Sequence, residues 1–146
     1  MPDTAYRLHD SPGYRLSIAA RQQERRLDEG LRPLGLTRIT WCVLLAVGNE
    51  GLCQPSDIAQ FIGIDRTATS RALRLLESNG LLDRTSGEGD RRTRRVTLTE
   101  AGTRALAAGG PIARDNATRM AARLDPADQV VLKQLIDREL RDLKTL

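Results

Sequence analysis

One stretch, residues 54–99, constrains this chain more than any other: QPSDIAQFIGIDRTATSRALRLLESNGLLDRTSGEGDRRTRRVTLT. Pro55 suits the first position of a helix, where its missing N–H costs nothing, and Gln54 lies just outside. Ile58, Ala59 and Ile62 turn inward at helical spacing, and Gly63 ends the helix. Asp65 then caps a longer helix that closes at Asn79-Gly80. Ala72, Leu73, Leu75 and Leu76 form its apolar side, while Thr67, Ser70, Arg71, Arg74 and Ser78 recur at i, i+3, i+4, i+7 and i+11 and share one exposed stripe. Leu81 to Arg84 and Arg94 to Leu98 read as two strands, the second with Val96 and Leu98 alternating against Arg95 and Thr97. The glycines of SGEGD supply the tight turn between them. The spacing therefore predicts a short helix, a turn, a longer helix with a polar stripe and a basic hairpin, for which the rest of the chain is scaffold.

The charge is concentrated in the same place. The whole chain carries +4, and between Arg66 and Arg95 eight arginines (66, 71, 74, 84, 91, 92, 94, 95) stand against four acids (77, 83, 88, 90), an excess that equals the total. A solvated face more often mixes the signs, as the two ends of this chain do. A local arginine excess is what a polyanion-binding surface needs, because neutralising phosphates and releasing counterions supplies most of the non-specific affinity. On the stripe, short hydroxyl side chains near the helix start allow close backbone approach, and the arginines further along reach base edges or phosphates.

At 146 residues with 40% hydrophobic and 29% charged composition, the chain has the size of one soluble domain, and the 3% aromatic share makes any core aliphatic. Residues 1–12 read as a loose polar arm. From Gly13 to Leu31, Leu16, Ala20, Leu27 and Leu31 recur at helical spacing in a narrow stripe suited to packing on another helix, and Pro33 and Gly35 stop it. Thr37 caps a second helix, Arg38 to Val47, whose WCVLLAV run is apolar on nearly every side and must be buried. Leu52 is placed for one short strand contact. Thr99 caps a further helix with Glu100 near its positive end, and Gly109, Gly110 and Pro111 either interrupt or bend it. Asp125-Pro126-Ala127-Asp128 starts the last helix, along which Val131, Leu132, Leu135, Ile136, Leu140 and Leu143 make a stripe too apolar for solvent. That helix wants a partner.

Several function classes fall away. His9 is the only histidine, and Cys42 and Cys53 are too few and too irregularly placed for a zinc motif or a disulfide framework. Neither a glycine-rich phosphate loop nor a nucleophile elbow appears, so no enzyme and no cofactor is expected. No apolar run approaches the roughly 20 residues that span a bilayer, and the N-terminus lacks the pattern of a secretory signal. A cytoplasmic location and no membrane partner follow as expectations.

With these residues in view, the chain resembles the MarR family (multiple antibiotic resistance regulators) of winged helix-turn-helix transcription factors over about residues 13–146. The most specific part is the wing pattern D-x-R followed by L-T-x-x-G, present as Asp90, Arg92, Leu98, Thr99 and Gly102. Ser56-Asp57-Ile58-Ala59, Asp65-Arg66-Thr67 and Leu76-Glu77-x-x-Gly80-Leu81 agree with the helix-turn-helix. The resemblance implies a mainly α fold with a small β wing: a dimerisation helix over 13–36, a winged helix-turn-helix over 37–99, and C-terminal dimerisation helices over 100–146. It further implies a homodimer on double-stranded DNA, each recognition helix in a major groove and each wing placing an arginine in the flanking minor groove, with half-sites about one helical turn apart.

The residues divide accordingly. Ser56, Arg66, Thr67, Ala68, Ser70, Arg71, Arg74, Arg84, Asp90, Arg91, Arg92, Arg94 and Arg95 are the DNA-facing candidates, with Arg92 first for the minor groove and Asp90 holding a neighbouring arginine in place. The dimer candidates are the two apolar stripes named above. Many relatives bind small aromatic or phenolic anions, so Trp41, with Tyr14, Arg15 and His9, becomes a candidate effector site; ordinary core or surface packing is the alternative for each. Some relatives sense peroxide through a cysteine near the start of the first helix, where this chain has none. Cys42, in its apolar run, reads as a small hydrophobe, and Cys53 sits nearer a turn. A thiol-based regulator, or a winged-helix interaction module without DNA binding, are the alternatives to a ligand-relieved repressor.

Overall fold

The computed structural model describes residues 4–86 and 94–141. It is mainly helical with one two-stranded sheet: α1 (Pro12–Leu31), α2 (Arg38–Gly48), α3 (Pro55–Ile62), α4 (Arg66–Ser78), β1 (Leu82–Ser86), β2 (Arg94–Leu98), α5 (Glu100–Ala121) and α6 (Pro126–Arg141). The expected mainly α fold with a small β hairpin is what forms. The chain divides into two compact units, Met1–Ala113 and Arg114–Leu146. Among the described residues, no single helix is long and apolar enough to cross a membrane.

Local chemistry sets the helix ends. Ser11 caps α1, its hydroxyl accepting from the Tyr14 N–H at 3.3 Å, so the helix begins at Pro12, one residue before the expected start. The arm before it is not wholly irregular, since Leu8–Asp10 forms a 3-10 turn. Thr37 caps α2 in a reciprocal box with Thr40, and the Asp28 carboxylate of α1 also accepts from the Arg38 N–H, which ties α1 to the start of α2. Gly63, at φ 79°, closes α3 in the left-handed region that glycine enters without strain.

The core of the first unit is aliphatic and centres on α2. Val43, Leu44 and Ala46 are fully buried, joined by Leu31 and Leu36, by Ile58 of α3, by Leu73 and Leu76 of α4, and by Leu82 and Val96 of the hairpin. Each such leucine or isoleucine contributes about 1.5–3 kcal/mol relative to an exposed one. Three expectations need correction here. Leu27 and Leu31, assigned to a dimer stripe, belong to this intramolecular core, because the last turns of α1 pack back on α2. Leu75, assigned to the apolar side of α4, is 47% exposed, since the buried arc of that helix is narrow and is filled by Thr69, Ala72, Leu73 and Leu76. The strand contact expected at Leu52 is made next door, where the Cys53 carbonyl accepts from the Val96 N–H at 3.0 Å.

Helix α5 is assigned straight through Gly109, Gly110 and Pro111. Gly109 has a steric reason: a Cβ there would lie 2.1 Å from Trp41 Nε1, and the indole N–H donates to the Leu106 carbonyl at 3.3 Å. The start of α5 is fixed more tightly still. Thr99 Oγ1 donates to the Gly80 carbonyl at 2.7 Å and accepts from the Gly102 N–H at 3.0 Å, while the Thr99 N–H donates to the Leu81 carbonyl at 3.2 Å. A Cβ on Gly102 would stand 1.9 Å from the Leu81 carbonyl oxygen.

In the second unit, Asp125 accepts from the Asp128 N–H at 2.8 Å and so starts α6 as expected. Along α6 no residue is buried: Val131, Leu135 and Leu140 are each about half exposed and Leu132 and Ile136 are half-buried, while Leu143 lies outside the described residues.

The contact at Gly102 is with backbone, which cannot swing aside. Gly102→Ala should therefore destabilise the fold by about 3 kcal/mol, read as a lower midpoint in urea denaturation, whereas Ala at the exposed Gly13 should change it by less than about 1 kcal/mol.

Candidate nucleic-acid interface

The position of α4 follows from its first turn. Asp65 accepts from the Ala68 N–H at 2.7 Å, and the buried Thr69 hydroxyl donates to the Asp65 carbonyl at 2.8 Å, so one side of the helix is held inward from its start. Ala72, Leu73 and Leu76 continue that side. The opposite side carries Arg66, Thr67, Ser70, Arg71, Arg74 and Ser78, all exposed, with Ala68 half-buried at its edge. Arg74 Nε donates to the Ser70 carbonyl at 3.3 Å, which lays the guanidinium along the helix surface. Ser56, on α3, is also exposed. The structure thus brings the hydroxyls and arginines of the stripe together on one open helix face, with Leu75 beside them as an apolar edge that the spacing does not reveal.

The hairpin sorts its side chains by register. Leu82 pairs with Leu98, Arg84 with Val96, and Ser86 with Arg94; between these lie Asp83 opposite Thr97 and Thr85 opposite Arg95. Directly opposed residues share a face, so Leu82, Val96 and Arg84 lie on one side of the sheet and Asp83, Thr85, Arg95 and Thr97 on the other. Leu82 and Val96 are buried, which makes the first side the inner one. Arg95 is exposed on the outer side.

Arg84 is the correction among the DNA-facing candidates. Its side chain is only 17% exposed, and Nε lies 3.1 Å from Glu77 Oε2 of α4. Taken as part of the basic cluster, Arg84 is one more phosphate ligand; the pairing with Val96 turns it inward instead. Glu77 is the partner that charge counting misses, and the signal for it is the two-residue alternation of β1, which places Arg84 on the side of Leu82. Asp90, Arg91 and Arg92 lie outside the described residues, as does the side chain of Arg94.

The candidate effector residues separate. His9 and Tyr14 meet edge to face with centroids 5.5 Å apart, and Arg15 Nε donates to the His9 carbonyl, so these three form one cluster at the start of α1 in which only Tyr14 is half-buried. Trp41 is instead 8% exposed and engaged with Leu106 and Gly109 of α5. An open cleft beside β2 is lined by Val47, Leu52, Cys53, Val96, Leu98 and Thr103 among others, and by none of those four. Burial pushes the Cys42 thiol above its ordinary range, with the nearby Arg38 charge opposing and Asp28 and Glu24 reinforcing the rise.

Comparison with known proteins agrees with this geometry. A family model described as MarR family matches residues 34–93. The HTH-type transcriptional regulator YwhA of Bacillus subtilis (strain 168) is 32% identical over 78 residues, 53% of this chain, and the chain spans little more than half of that relative's length, 56%. Among solved structures, that of Bordetella bronchiseptica BpsR, a protein whose DNA binding is regulated by 6-hydroxynicotinic acid, superposes with a TM-score of 0.84 at 24% identity, covering 93% of this chain and 98% of that one. A MarR mutant from E. coli complexed with operator DNA gives a TM-score of 0.79 at 24% identity over 88% of this chain and 92% of its own. With the helix-turn-helix, the hairpin and the L-T-x-x-G clamp in place, the chain has the winged helix-turn-helix fold of these structures, and its residues 34–93 are similar to the MarR family.

Proposed function

We propose that this chain is a sequence-specific DNA-binding regulator that works as a homodimer on a pseudo-palindromic operator. The observation that carries the reading is the open face of α4, where Thr67, Ser70, Arg71 and Arg74 stand exposed together on a helix whose other side is locked into the core. A rigid helix with hydroxyls at its leading end and guanidinium groups behind them has the shape and charge to enter a major groove. Arg66 and the outward-facing Arg95 add phosphate contacts, Ser56 contacts the backbone from α3, and of the arginines outside the described residues Arg92, then Arg91, is the proposed minor-groove reader. The similar MarR structure with operator DNA supports this docking mode.

Dimerisation is assigned to the helices flanking the winged domain. Apolar side chains half exposed along α6, with Leu16 and Ala20 on α1, form surfaces that cost free energy in water and gain it against a second copy. The two-fold then sets half-sites about one helical turn apart, roughly 34 Å. A chain acting on genomic DNA in this way acts in the cytoplasm.

The regulation is a repressor's: the dimer blocks its operator until a small aromatic or phenolic anion shifts the population toward a spacing that no longer fits. The regulation of BpsR DNA binding by 6-hydroxynicotinic acid supports it. A cysteine switch finds less support, because the partial burial of Cys42 disfavours the reactive thiolate.

Three measurements bear on this reading. Sites selected from random DNA should share an inverted repeat, and Arg71→Ala or Arg74→Ala should weaken binding to it by about 1–3 kcal/mol in a gel shift while the dimer stays folded; unchanged affinity in both removes the major-groove assignment. Leu135→Glu should shift the sedimenting mass toward a monomer and weaken operator binding with it. For Cys42, a raised folded pKa means that the thiolate forms later in the folded state than in the unfolded one. The thiol should therefore resist iodoacetamide at pH 7.4 in the native protein and react promptly in urea, and its own contribution to stability should be lost as pH rises past about 8.5, where the unfolded thiol ionises first.

A further inference from the structure

The inner face of the hairpin holds a charge where a hydrophobic side chain would be expected. Arg84 sits opposite Val96, which is 1% exposed, and on the same side as Leu82, which is fully buried. Nε and Nη2 of its guanidinium are shielded from solvent, and among the described residues neither has a hydrogen-bond acceptor in line. Its compensation is Glu77 Oε2, 3.1 Å from Nε, reached across the gap between β1 and α4. Glu77 itself is half exposed, on the edge of the helix beside the stripe. A guanidinium withdrawn from water in this way is costly unless an opposite charge stays near, so the helix and the sheet are held at the separation at which the pair survives.

We propose that Arg84 is a positioning residue for DNA recognition: through Glu77 it fixes the angle of the hairpin against α4, and so the offset between the groups that the two elements present. This rests on the DNA-binding reading above. The consequence is that the pair acts without touching DNA. Arg84 lies inward, while the outer side of the same strands carries Arg95, whose distance from Arg71 and Arg74 is set by that angle. Contacts between apolar side chains are non-directional, whereas a guanidinium withdrawn from water loses its compensation as soon as the carboxylate moves away.

The test separates the pair from the function. Spin labels at Ser78→Cys on α4 and Thr85→Cys on the outer face of β1, in a chain with Cys42 and Cys53 replaced by alanine and diluted with unlabelled chain, report the helix-to-hairpin distance without DNA. A narrow distribution is expected for the parent, a broadened one for Arg84→Met and for Glu77→Gln, and a narrow one again for the exchanged pair Glu77→Arg with Arg84→Glu. On a selected operator, Arg84→Met should lose about tenfold in affinity and lower the slope of log K against log salt by about 1, as phosphate contacts from the hairpin fall out of register, and the exchanged pair should recover both. Methionine keeps the aliphatic volume, so a merely structural residue would leave the salt slope unchanged. An unbroadened distance in Arg84→Met overturns the positioning role whether or not the protein binds DNA. A broadened distance with parental affinity and slope overturns the link to recognition. Failure of the parent chain to select any DNA overturns the functional reading, while the distances still decide the pair.

Discussion

The hydroxyl of Thr99 is the point on which the winged domain turns. It donates to the Gly80 carbonyl, where α4 has just ended, and accepts from the Gly102 N–H, where α5 has just begun. The Gly102 N–H is a helix-end orphan that would otherwise need water, and the Gly80 carbonyl belongs to the chain just past the cap of α4. One oxygen atom therefore satisfies the exit of one helix and the entry of the next, with the whole hairpin looped out between them. Gly102 lets this happen, because only a residue without a Cβ allows the Leu81 carbonyl so close to the helix. The L-T-x-x-G pattern is thus a description of one junction: Leu98 closes the sheet, Thr99 bridges, and Gly102 makes room.

That junction explains how a small domain with few aromatic residues presents a stiff surface. The buried side of α4 is pinned by Asp65 and Thr69 at one end and by the Gly80–Thr99 bridge at the other. The core behind it is aliphatic and centred on α2, so the exposed stripe rests on a backing with little freedom to shift. The hairpin is held by backbone pairing to Cys53, by Leu82 and Val96 in the core, and by the Arg84–Glu77 pair. Surfaces that read a polyanion gain from such rigidity, since ordering costs are met during folding instead of at binding.

What could be read from the sequence was local. Thr37, Asp65 and Asp125 announce helix starts because a cap acts within three residues, and Gly63 announces a stop because its backbone geometry is its own. The exposed stripe of α4 was legible for a similar reason, as helical periodicity places five polar residues on one side whatever lies behind them. The misassigned residues are those whose environment depends on other elements. Leu27 and Leu31 have the spacing of a dimer stripe, yet the chain's own α2 covers them. Leu75 looks like core until the packing shows how narrow the buried arc is. Arg84 belongs to a run of arginines that composition treats alike, and only the pairing register distinguishes one that faces inward from one that faces out. At Gly109 the missing side chain makes room for Trp41, far earlier in the chain, which no local rule can see.

The chain's single tryptophan sits where α5 crosses α2, its indole laid over the bare backbone of Gly109 and its N–H held by the Leu106 carbonyl. An indole in such a place is an optical gauge of that crossing. Its emission wavelength follows the polarity around the ring and the integrity of that one hydrogen bond, and no other residue of its kind contributes background. Any event that slides or tilts α5 over α2 must disturb the ring first, so the unmodified protein carries its own spectroscopic record of movement at this seam.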